Sequence, residues 1–176
     1  LETHSLIPHP DTPPKAVDNI EVQLECLAES LWLRFTIEGP PDALALPDPA
    51  QPVRKDGLWQ TTCLEAFVID AFGGGYAEFN FSPSGEWAAY QFSEYRRGME
   101  NLEMECGPDI GIDCSDSHLA LEATIPLAGQ HRLALSAVIE EADGTKSYWA
   151  LAHPPGKPDF HHPACFAAII AAPNAV

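Results

Sequence analysis

The chain has 176 residues, with 26 acidic side chains against nine Lys and Arg and a formal net charge of -17. A surface of that sign repels phosphate backbones and anionic headgroups, so neither nucleic acid nor membrane is expected as a partner. The length suits a single domain, residues 1–176, with a core of its own.

No apolar run approaches the ~20 residues that span a bilayer. The opening LETHSLIPHPDTPP has neither the basic nor the apolar region of a signal peptide, which points to a cytoplasmic protein. It also lacks an initiator Met, which leaves an upstream segment open. Five cysteines, Cys26, Cys63, Cys106, Cys114 and Cys165, form an odd set without a CxxC pair. Free thiols in a reducing compartment account for them more simply than a disulfide framework or structural zinc.

Residues Leu1–Lys15 are proline-rich and read as an extended surface segment. Asn19–Leu27 alternates Ile20, Val22, Leu24 and Cys26 with Glu21, Gln23 and Glu25, and Leu31–Glu38 alternates in the same way. That period of two predicts strands with one wet face, joined here by a short hairpin link. Between Gly39 and Gly57 five prolines forbid a central strand, leaving a long loop that ends in RKDGLW. Loops of this length in a compact domain often carry function.

Three extended runs follow, Thr62–Asp70, Tyr76–Ser82 and Trp87–Ser93, joined by Gly73–Gly75 and by the SPSG turn at Ser82–Gly85. Their aromatic and β-branched content predicts strands, and the glycine and proline connections predict hairpins. Glu65 interrupts an apolar strand, sharing a face with Cys63, Phe67 and Ile69. A carboxylate there must be hydrogen-bonded, paired or reserved for a ligand, because burying it alone costs several kcal/mol. Trp59, just upstream, offers a flat apolar wall beside it. Further runs at Leu102–Cys106, Ile110–Cys114, Leu119–Ile125, Leu133–Glu140, Ser147–Ala152 and Cys165–Ala171 bring the count to roughly ten to twelve strands. That pattern predicts an all-β fold, a two-sheet antiparallel β-sandwich, with no internal repeat or linker.

Three stretches carry a family likeness: RKDGLWQTTCLEAFV, YAEFNFSPSGEWAAYQFSEYRRGM and SYWALAHPPGKPDFHHPACF. Together they resemble small bacterial DOMON-like domains related to family 9 carbohydrate-binding modules. The resemblance covers nearly the whole chain and implies a jelly-roll-like β-sandwich that binds sugars or, in other branches, haem. It further implies a ligand held between two aromatic side chains, with charged and amide groups at its hydroxyls. Trp59 and Glu65 resemble the first aromatic and the carboxylate of that arrangement, and Trp149 and Phe160 are the candidates for the second aromatic.

Each candidate has a structural alternative. Glu65 could pair with Arg54, Arg96 or Arg97 while Trp59 merely caps the sheet. Of the adjacent Arg96 and Arg97, strand geometry lets one face a pocket. His153, Asp159, His161 and His162 share a loop but match no zinc spacing, and backbone-bonded loop histidines explain them equally. Met99 and Met104 are the only methionines that could ligate haem, and no CxxCH motif is present. Glu65 and Glu78 could form a glycosidase couple, although Glu78 reads as solvent-facing. No nucleophile elbow, HExxH or phosphate loop occurs.

The sequence therefore points to a non-catalytic module for a carbohydrate or similar small polar ligand. A haem- or metal-binding domain, or an interaction domain without a small ligand, are the alternatives. The expected ligand contacts are Trp59, Glu65, Arg54, Arg96, Trp149, Phe160 and His161, with no catalytic residue, no metal ligand and no cofactor. Ligand identity and oligomeric state stay open.

Overall fold

The computed structural model describes residues 1–70 and 75–170. Gly73 and Gly74 of the expected glycine hairpin, and Ala171 of the last expected run, lie outside them. Thirteen strands are present among the described residues: β1 (Glu2–Ser5), β2 (Ile7–Pro8), β3 (Asn19–Cys26), β4 (Ser30–Glu38), β5 (Cys63–Asp70), β6 (Tyr76–Phe81), β7 (Trp87–Phe92), β8 (Glu100–Asn101), β9 (Asp109–Cys114), β10 (His118–Pro126), β11 (His131–Glu140), β12 (Lys146–Ala150) and β13 (Ala168–Ile170). The helical elements among the described residues are three single 3-10 turns, at Pro41–Ala43, Leu58–Gln60 and Pro163–Cys165.

Among the described residues all pairings between these strands are antiparallel, in two sheets. One has five strands in the order β1-β3-β4-β10-β9. The other runs β2-β12-β11-β5-β6-β7-β8, with β13 also paired to β11. The strand count slightly exceeds the ten to twelve expected, because β1 and β2 lie where an extended surface segment was read. Both are edge strands, where Pro8 removes no ladder bond that a neighbour needs. The run Leu102–Cys106 is not a strand. Pairing with β7 stops at Glu100–Asn101, and Leu102 N–H adds one bond to Ala89 O at 3.0 Å.

The core lies between the sheets and follows from strand parity. Ile20, Val22 and Leu24 of β3, Leu31, Leu33, Phe35 and Ile37 of β4, and Leu119 and Leu121 of β10 point inward. They meet Leu64, Ala66 and Val68 of β5, Phe79 and Phe81 of β6, and Leu133 and Leu135 of β11. Full burial of each Leu, Ile or Phe contributes about 1.5–3 kcal/mol. On the five-stranded sheet the opposite parity is wet: Arg34 of β4 pairs with Glu122 of β10 and approaches Asp113 of β9.

The eight-stranded sheet differs, because its outer face is covered too. Cys63, Glu65 and Phe67 of β5 and Ala134, Ser136 and Val138 of β11 face away from the main core and are nonetheless buried. The segment after β12 folds over this face, where Phe160, Cys165 and Phe166 pack on Phe67, Ala134 and Val138. Closer to β7, Leu58 packs with Cys63, Ala88, Tyr90 and Phe92. Double-sided burial makes these strands read as near-continuous apolar runs rather than as alternation.

Candidate functional site

The outer face of the eight-stranded sheet is the floor of a cleft of about 450 Å³. Register sets what lies on it. Glu65 of β5 stands opposite Ser136 of β11 on one side and Asn80 of β6 on the other. Glu78 of β6 stands opposite Phe67 and Tyr90. Two carboxyls thus occupy neighbouring ladder positions, Glu65 only 3% exposed and Glu78 6%. Ser136 Oγ donates to Glu65 Oε2 at 3.1 Å, and Asn80 Nδ2 donates to Glu78 Oε1 at 3.0 Å. Asn80 is itself fully buried, and its Oδ1 has no hydrogen-bond partner.

Burial pushes both carboxyls toward their neutral forms. Desolvation, then the proximity of Glu78, raises Glu65 well above the ordinary carboxylate range. Desolvation raises Glu78 to about 7, against the opposing hydrogen bond from Asn80 and the charge of Arg96. The pair titrates as a unit and holds a proton near neutral pH.

The walls come from three places. The single turn Leu58–Gln60 buries Leu58 and leaves Trp59 54% exposed over the cleft. The loop before it is tied down by Tyr90, whose hydroxyl donates to Asp56 Oδ1 at 2.7 Å. Tyr90 and Phe92 of β7 and Tyr148 of β12 supply further rings along the floor, and Phe160 closes the far side. A contiguous hollow shares Trp59, Tyr90 and Met99 with the cleft. A separate hollow, lined by Asp18, Glu38, Asp116 and His118 at the edge of the other sheet, contains no aromatic ring except imidazole.

Arg96 and His161 complete the cleft through one connected cluster. Arg96 sits at the corner of the Glu94–Arg97 turn with φ 54°, a left-handed conformation unusual for a side chain this large. Its backbone N–H donates to the Tyr76 hydroxyl at 3.1 Å. The same hydroxyl is hydrogen-bonded to His161 Nδ1 at 2.7 Å, and His161 Nε2 lies 3.8 Å from Glu78 Oε2. Burial among Phe67, Tyr76 and Phe92, with Arg96 nearby, lowers His161 to about 4, so the imidazole is neutral at ordinary pH. The Arg96 guanidinium donates to Asp159 Oδ1, from Nη2 at 2.7 Å and Nε at 3.2 Å, and Tyr95 donates to the other oxygen. Although desolvation opposes it, those hydrogen bonds hold Asp159 below its usual range.

Of the residues expected from sequence, the structure brings Trp59, Glu65, Arg96, Phe160 and His161 into this cleft. Arg54 and Trp149 lie elsewhere. Arg54 donates to Ala89 O and Leu102 O, each at 2.7 Å, and stacks over the Trp87 ring at 4.5 Å, so its guanidinium is consumed in holding the backbone. Trp149 points into the inter-sheet core, 2% exposed, with its Nε1 on Ser147 Oγ at 2.9 Å. Strand parity separates it from Tyr148, its cleft-facing neighbour.

Glu65 pairs with none of the arginines suggested as structural partners, since its bond is to Ser136. Glu78, read as solvent-facing, is buried in the cleft. The loop histidines disperse: His153 Nε2 bonds Ile7 O at 2.7 Å, while His162 Nδ1 accepts from Ala164 N–H at 3.1 Å. Among the described residues no group of three or more His, Cys, Asp and Glu side chains is arranged to hold a metal ion. Met99 lines the cleft, and Met104 packs on the core. Sequence reasoning missed Tyr90, Phe92 and Tyr148 as cleft residues. Their signal was available in β7 and β12, where adjacent apolar residues fall on both parities and so demand cover on both faces.

No protein-family model matches the chain, and no curated protein matches it by sequence. Among solved structures, a candidate carbohydrate-binding protein from Bacteroides uniformis aligns with a TM-score of 0.66 at 15% identity, covering 94% of this chain and 84% of its own. A family 9 carbohydrate-binding module from Caldicellulosiruptor kristjanssonii, in complex with cellotriose, aligns with a TM-score of 0.51 at 11% identity, covering 83% and 75%. At these identities the likeness is one of fold.

Proposed function

We propose that the chain is a non-catalytic binding module for a carbohydrate or a similar small polar ligand, held in the cleft between Trp59 and Phe160. One observation carries this reading: a half-exposed indole shares a single cleft with two buried carboxyl groups. Sugar rings present C–H faces that stack on aromatic rings and hydroxyls that need charged or amide partners. The resemblance of the sequence to DOMON-like domains and the fold likeness to a carbohydrate-binding module support it as analogy.

Catalysis by the carboxyl pair fits less well. A glycosidase couple needs one protonated acid and one ionised nucleophile or base, with environments that push their acidities apart. Here both carboxyls lie on one face of one sheet, on the adjacent strands β5 and β6, rather than on opposite sides of a cleft.

A glycan array, followed by titration calorimetry of its hits, tests the reading. Saccharide binding that Trp59→Ala weakens by roughly tenfold or more is the expected result. Binding unaffected by Trp59→Ala would place the ligand elsewhere, and an array without hits would remove the carbohydrate assignment.

A further inference from the structure

The cleft holds more negative than positive capacity, and the imbalance identifies a ligand class. Arg96 is the one guanidinium among the described residues that lines it, and its charge is matched by Asp159 on the loop after β12. His161, on that same loop, gives its Nδ1 to Tyr76. The other titratable groups beside the pair are Cys63 of β5, Tyr90 of β7 and Tyr148 of β12, whereas the cations Arg132 of β11 and Lys146 of β12 are engaged outside the cleft, by Phe166 O and by Gln60 O with Glu140. Facing these are Glu65 and Glu78, side by side, with only Ser136 and Asn80 as hydrogen-bond donors. The fully buried Asn80 Oδ1, on the same face, is a second acceptor without a partner. Two carboxyls crowded under aromatic rings call for a donor that carries positive charge. Ammonium groups satisfy both features, since they donate three hydrogen bonds and are attracted to aromatic faces.

Resting on the binding role proposed above, we propose that the cleft selects ligands bearing a free primary ammonium group, which sits between Glu65 and Glu78 while the aromatic walls cover the ligand's apolar face. Amino sugars and aliphatic amines share this chemistry. Ligand uptake would displace the proton that the carboxyl pair otherwise holds, so affinity should fall as the medium is acidified. Carboxylated and phosphorylated ligands are rejected by the same two groups.

Calorimetry of the intact protein at pH 7.5 and 5.5 with glucosamine, N-acetylglucosamine, glucose, glucuronate and putrescine tests this. Glucosamine or putrescine should bind roughly tenfold or more tightly than the uncharged sugars at pH 7.5, with proton release, and should lose most of that advantage at pH 5.5. Which of the two binds distinguishes a ring-borne from a chain-borne ammonium. Glu78→Gln should abolish the preference while leaving the melting temperature at pH 5.5 unchanged. Glucose binding as tightly as glucosamine would overturn the ammonium proposal and leave the carbohydrate role standing. Putrescine binding alone, with no sugar bound, would do the reverse. No binding by any probe, with an array lacking hits, removes both.

Discussion

Asn80 donates its amide N–H to Glu78, two residues back along the same strand, at 3.0 Å, and leaves its own carbonyl oxygen buried without a partner. The floor of the cleft is therefore not self-sufficient. A buried polar atom without a partner costs about 1–3 kcal/mol, and two carboxyls held away from water cost more as they ionise.

Stability should consequently fall as pH rises. Both carboxyls have folded-state pKa values raised above the unfolded ones, so their stabilising contribution is complete below the ordinary range near 4.5. It is lost as pH climbs through about 7 for Glu78 and higher for Glu65. The Glu78 shift alone corresponds to about 3 kcal/mol. Thermal melts of the ligand-free protein should show a lower melting temperature at pH 8.5 than at pH 6. Glu78→Gln, which keeps an acceptor for Asn80, should raise the pH 8.5 value and flatten the dependence. A wild-type profile rising from pH 6 to 8.5 would contradict the arrangement.

Trp59→Ala should leave the fold intact while reducing ligand affinity by about 1–3 kcal/mol. The ring is 54% exposed, and the turn that carries it is anchored by buried Leu58. Equal melting temperatures with unequal calorimetric affinities are the expected pair of results. A melting temperature several degrees lower would show that the indole is structural.

Arg54→Met should do the opposite. The substitution strands Leu102 O, takes one of two donors from Ala89 O and removes the cation from the Trp87 face, at a cost of about 1–3 kcal/mol. Urea denaturation should record that loss, and the affinity of the folded fraction should be unchanged. Loss of binding without loss of stability would return Arg54 to the ligand site.

Thiol reactivity should divide the cysteines. All five are free, and Cys106 and Cys114 are exposed, whereas Cys63 and Cys165 are buried with their pKa values raised by desolvation. A disulfide-exchange reagent at pH 8 should label Cys106 and Cys114 quickly, Cys26 more slowly and all five only in denaturant. Fast native labelling of Cys63 would mean that the floor of the cleft opens.

Much of the sandwich was legible because one face of β3 and β4 is wet, which stamps a period of two on the sequence. The placement of Glu65 was legible for the complementary reason, a lone carboxyl in an apolar strand. Glu78 was not. Nothing within β6 announces that the chain returns more than 70 residues later to set His161 3.8 Å from it. Trp149 and Tyr148 show how little separates a wall from a core residue, since one step along a strand reverses the face. Arg54 failed differently: its partners are backbone carbonyls, which leave no mark in a sequence.

The first eight residues serve as a clasp. β1 extends the five-stranded sheet against β3, β2 extends the other against β12, and Leu6 between them is buried, its N–H on Ile20 O at 2.8 Å. A pull on the leading end would load the ladders of both layers in shear before either could peel. Clipping the segment would bare two adhesive edges at once, and strand edges of that kind recruit one another between molecules. The proline-rich start is thus a fastening whose removal would turn a self-contained body into a polymerising one.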